Sequence, residues 1–161
     1  VWDQLLPRRA DNEYRGYRLA LWLFGVVLLA KAAIALNSIF RGYFVAARAD
    51  GIPLDTFSVA AAQTVVSLFA LLGVAHATLC VLGIVALVRY RSLIPFLFAL
   101  VLLEFLGRRL VLQFIPLARA GTPPGTWVNL GLLAIMVVGL VSSVLTRGKE
   151  SERDATPSGA T

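Results

Sequence analysis

Cysteine, histidine and methionine occur once each among 161 residues, the first two as Cys80 and His76. A single thiol cannot close an internal disulfide or form a Cys-x-x-Cys redox pair. A single imidazole cannot supply both axial ligands of a haem within one chain. There is no metal-ligand cluster and no nucleophilic triad. These absences argue against an enzyme, with no catalytic and no metal-binding residue expected. The chain opens on Val1 rather than Met, which fits an alternative start codon or a trimmed chain.

What the chain has in abundance is apolar sequence. It is 58% hydrophobic with a mean hydropathy of +0.80, where soluble domains run nearer 45–50% apolar. Four runs approach or exceed the roughly 20 apolar residues needed to cross a hydrocarbon core. The expected fold is an all-α integral membrane protein, with four transmembrane helices in an antiparallel up-down bundle. The expected spans cover about 19–40, 57–88, 93–115 and 127–145 of a domain at 19–146, preceded by a cytoplasmic segment at 1–18. A disordered polar tail follows at 147–161. So little chain lies outside the spans that no separate soluble domain fits.

The net charge is +6, and thirteen of the fifteen basic residues are arginine. The cations sit at span ends, with no basic face of interleaved aromatics, so nucleic acid is not an expected partner. Their placement instead sets topology. Arg8, Arg9, Arg15, Arg18, Arg89, Arg91, Arg147, Lys149 and Arg153 fall on one side, and Arg41, Arg48 and Arg119 on the other. That bias places both termini in the cytoplasm. The richness in Arg, Ala, Leu, Val and Gly suggests a GC-rich bacterial gene, hence a multi-pass protein of the bacterial inner (plasma) membrane.

Local signals punctuate the spans. Trp2, Leu5 and Leu6 could form a small interfacial anchor before Pro7, though a solvated tail is the plainer expectation. Span 1 has a rival reading as a signal peptide with Ala33-Ile34-Ala35 as cleavage site, but apolar character continues to Phe40. Ser38 to Ala49 could extend span 1 by an amphipathic turn or two. Asp50-Gly51 and Pro53 mark a turn, and Asp55 or Thr56 is the expected N-cap of span 2. Span 2 is longer than a bilayer needs, so it should project or tilt. Pro95 falls in the first turn of span 3, where proline is tolerated. Pro116 stops that span, and Thr122-Pro123-Pro124-Gly125 leads into span 4.

The ionisable residues inside the spans form two layers. Lys31 lies thirteen residues from Arg18, His76 thirteen from Arg89 and Glu104 thirteen from Arg91. At 1.5 Å per residue all three sit roughly 20 Å from the inner boundary. A second layer, roughly 27 Å out by the same rise, holds Asn37, Arg108, Arg109 and Asn129. Charges in hydrocarbon are costly and normally face the bundle and pair. Glu104 and Arg108, at i and i+4, can pair within span 3. Arg109 points about 140° away from Glu104 on the same helix, where it can snorkel, reach Asn129 or hold a lipid phosphate. Gly73, His76, Cys80 and Gly83 make a small-residue stripe on span 2. The short turn at 89–91 makes span 3 its expected partner, with a His76–Glu104 contact. Lys31 could join them or snorkel outward.

Each feature also has a plain structural meaning. Intramembrane ions pair for solvation alone, Cys80 suits packing, Lys31 can snorkel, and Asn129 beside Trp127 suits an interface. A basic residue before span 1, Gly25 and Lys31 late in it, and the four spans together resemble the DoxX-like group of bacterial membrane proteins. Span count and charge placement carry that likeness, and no residue role transfers with it. Small multidrug transporters also have four spans, but their carboxylate lies in span 1, where this chain has Lys31.

The leading expectation is a noncatalytic accessory or membrane-integrity protein. Its partners would be the lipid bilayer and a homo-oligomer or larger membrane complex, with no cofactor required. The alternative is a proton-coupled transporter or a quinone-linked protein, with Glu104 as proton acceptor and His76 as relay. A third class is a lipid-binding module built on Arg108 and Arg109.

Overall fold

The computed structural model describes residues 11, 12, 14, 16–121 and 123–145. The Trp2–Leu6 anchor and the 147–161 tail lie outside the described residues. The described residues are mostly helical, with no strand among them. Four long helices carry the fold: α1 Arg18–Phe40, α2 Val59–Arg89, α3 Ile94–Phe114 and α4 Gly125–Val144. Three of them, α1, α2 and α4, are long and apolar enough to cross a membrane. α3 has 21 residues, but Glu104, Arg108 and Arg109 interrupt its apolar surface.

The helix ends follow local chemistry. Asn37 Nδ2 donates to Ala33 O and Ser38 Oγ to Ile34 O, 2.9 Å in both cases, so both polar groups are satisfied by α1 itself. Arg41 then leaves the helical region, and the chain continues through one helical turn at Gly42–Phe44 and a π-turn at Val45–Ala49. Neither Asp55 nor Thr56 caps α2. Both belong to a 3-10 turn, and the extended residue that precedes the helix is Ser58, whose hydroxyl accepts from Ala61 N at 3.3 Å. Pro95 falls in the first turn of α3, where the N–H it lacks has no helical acceptor. That helix closes before Ile115-Pro116, since a residue preceding proline avoids the α region.

α1 packs along α2 and against α4, and α4 packs on α3. α2 and α3, although joined by a short turn, touch much less. Gly73, Cys80 and Gly83 of the α2 stripe therefore pack on α1 rather than on the α3 expected from loop length, while His76 of the same stripe meets α3 as expected. A Cβ at Gly73 would fall 2.9 Å from Ala35 O, and one at Gly83 would meet the Leu28 methyls. The Cys80 thiol donates to Leu28 O at 3.9 Å. A short connection fixes sequence neighbours, whereas close backbone approach follows the glycines.

Two apolar clusters hold the assembly. The larger joins Phe24, Val27 and Leu28 of α1, Ala86 of α2, Ile94, Leu97 and Phe98 of α3, and Leu132 and Met136 of α4. Phe24 and Phe98 meet edge to face, their centroids 5.0 Å apart, a geometry worth about 1 kcal/mol beyond area burial. Gly139 leaves room for that packing, since a Cβ there would lie 2.3 Å from Phe98 Cζ. The smaller cluster, Ala46, Ile52 and Leu54, seats the α1–α2 connection on Val65, Val66 and Phe69 of α2.

Each end is also tied by hydrogen bonds. Ser92 Oγ donates to Asp11 O at 2.9 Å, and Tyr17 N donates to Ser142 O at 3.3 Å. At the opposite end Ala120 N donates to Gly51 O at 2.8 Å. Gly51 turns there with φ +72°, a left-handed conformation that suits glycine.

Candidate functional site

α1, α2 and α3 each place one ionisable side chain at the same junction. Lys31 Nζ donates to Glu104 Oε2, and His76 Nε2 lies 3.1 Å from Glu104 Oε1. When that carboxylate is ionised it only accepts, and Nε2 is then the donor of the contact. Both carboxylate oxygens are thus engaged, one by each neighbouring helix. The side chains of Lys31, His76 and Glu104 are 14%, 11% and 27% exposed, so the junction is largely enclosed but not sealed.

Arg108 does not pair with Glu104. One turn further along α3 it lines the same cleft without an ion pair among the described residues. Lys31 and His76 hold the carboxylate by reaching across from other helices, which satisfies the charge and bridges the loosely packed side of the fold at once. Arg108 instead acts on Asp50 in the α1–α2 connection. Burial raises the Asp50 carboxyl above its usual range, while Arg108 and Arg119 pull it down.

The cleft encloses about 40 Å³ and is lined by all four long helices, with Arg108 of α3 and Asn129 of α4 both on its lining and Leu132 and Met136 among its apolar residues. A water needs about 10–15 Å³ by such a measure, so the space suits about three. Pockets for drug-sized ligands run to several hundred Å³, about 300 at the least. Arg109 and Asn37 do not line it. Arg109 is exposed, and Asn37, also exposed, is satisfied by Ala33 O.

Counting depth from the basic span ends brings Lys31, His76 and Glu104 to one level, and the structure brings the three into contact. The same count cannot choose between Lys31 and Arg108 as the partner of Glu104, because that choice depends on helix rotation. Nothing in the sequence marks Asp50 as electrostatically coupled to this region. The turn signal at Asp50-Gly51 was visible, but nothing local to it reports a fold-back towards Arg108. Among the described residues no group of three or more His, Cys, Asp or Glu side chains could hold a metal ion.

No family model, curated protein or solved structure matches the chain, and its likeness to the DoxX-like group stands on span count and charge placement alone.

Proposed function

We propose that this chain is a small polytopic protein of the bacterial inner membrane, with a noncatalytic accessory or membrane-integrity role. α3 is its fourth span, the four helices form an antiparallel up-down bundle, and both termini face the cytoplasm. The nine-to-three distribution of basic residues supports that orientation. The observation that carries the reading is the contact of Glu104 with both Lys31 and His76. A carboxylate in α3 engaged by α1 and α2 supports placing that helix in the membrane, because its partly buried acidic group is compensated from two sides. The ion pair compensates desolvation and fixes the position of α3, which otherwise leans mainly on α4.

A second reading is favoured by one feature, the water-sized space beside Glu104 and His76. There the same pair moves a proton for coupled transport or a quinone-linked reaction. For a quinone ring the helices would have to part. Glu104→Gln separates the two readings. The structural reading expects reduced abundance and a lower melting temperature, because Lys31 loses its counter-charge. The proton-coupled reading expects normal abundance and melting, with loss of proton movement in reconstituted vesicles.

A further inference from the structure

The junction accounts for Lys31, His76 and Glu104 but leaves Arg108. Its guanidinium lines the cleft with Asn129 and has no ion pair among the described residues. Glu104, the carboxylate that shares the cleft, already has one hydrogen-bond partner on each oxygen. Asp50 feels the charge of Arg108, but it feels that of Arg119 as well, so one carboxylate is set against two cations. In the junction itself Lys31 and Glu104 cancel and His76 adds no charge when neutral. The region therefore keeps one net positive charge, presented by a planar donor fork beside an amide. That combination matches an oxyanion, which a guanidinium can bind through two parallel hydrogen bonds.

We propose that Arg108 and Asn129 form a binding site for one phosphate-type oxyanion at the cleft. The space suits the phosphate oxygens of a larger molecule or one small free anion. Two sources share this chemistry: the headgroup of an anionic phospholipid, entering from the side of the helices, and a free anion. Arg109, next in sequence but exposed and outside the cleft, takes no part. The site rests on the Lys31–Glu104 pairing of the proposed function, since a Glu104 held by Lys31 and His76 is what leaves Arg108 without an ion pair among the described residues.

The test is native mass spectrometry of the full chain from nanodiscs containing phosphatidylglycerol or only phosphatidylcholine, with a parallel thermal melt in inorganic phosphate. The expected result is one phosphatidylglycerol retained per chain over phosphatidylcholine. Arg108→Gln should lower retention at least tenfold and Asn129→Ala severalfold. Arg108→Lys should restore part of it, and Arg109→Gln should leave it unchanged. If inorganic phosphate stabilises the wild type without lipid, and Arg108→Gln removes that effect, the site stands with a free anion as its source. Equal retention of both lipids with no response to phosphate overturns the proposal. So does equal loss in Arg108→Gln and Arg109→Gln when both variants melt like the wild type.

Discussion

Single side chains carry consequences that their surroundings fix in sign. Tyr14 has a buried hydroxyl with no hydrogen-bond partner among the described residues, and burial pushes its pKa up to about 12. Removing an unsatisfied buried donor relieves its desolvation cost, of the order of 1–3 kcal/mol. Tyr14→Phe should therefore raise the melting temperature or leave it unchanged, as a thermal melt in detergent will show. Asp50 is the second such residue. Its folded pKa lies above the unfolded value, so its contribution is favourable below the unfolded pKa and is lost as pH rises through the folded one. Asp50→Asn should be at least as stable as the wild type at pH 7, with the difference closing as pH falls through the acidic range. Melts taken across that range check the sign. Neither effect is legible in the sequence. A tyrosine near a span and an Asp-Gly turn look solvated until distant elements cover them.

At the scale of elements, the glycines of α2 are the sharpest markers. Gly73 meets the backbone oxygen of Ala35, whereas Gly83 meets only the methyl end of Leu28. A backbone cannot swing aside as a leucine can. Gly73→Ala should thus separate α1 from α2 and cost about 1–3 kcal/mol by overpacking, and Gly83→Ala should cost less. Gly107 in α3 has nothing within 4 Å of an added Cβ, so Gly107→Ala should be neutral or gain about 0.5–1 kcal/mol from helix propensity. Melts of the three variants in one detergent rank them. That α2 had a close-packing stripe was readable from Gly73, Cys80 and Gly83 alone. Its partner was not, because the short 89–91 turn points to α3 while the space left by glycine is filled by α1. The helices themselves were legible from apolar run length, and their ends from Pro95, Pro116 and the basic pairs. The N-cap at Ser58 was hidden by equally suitable Asp55 and Thr56.

Across the whole molecule, one part is dry and another is polar. Phe24, Phe98, Ile94 and Met136 fill the interior where α1, α3 and α4 converge. The cleft opens beside that core, with Glu104 held by two helices and Arg108 left over. α3 packs chiefly on α4, and at the polar end the contacts of Glu104 add to the Phe24–Phe98 packing in tying it to α1 and α2. Breaking an enclosed pair by removing one partner strands a charge, at about 3 kcal/mol or more. Removing both partners strands none. The most direct measurement is a double-mutant cycle of Lys31→Met and Glu104→Gln, read as unfolding free energy in a fixed lipid–detergent mixture. The account predicts that each single variant is strongly destabilised and that the double variant recovers part of the loss, with a coupling of about 1.5–3 kcal/mol. Additive effects, agreeing within about 0.5 kcal/mol, would contradict it.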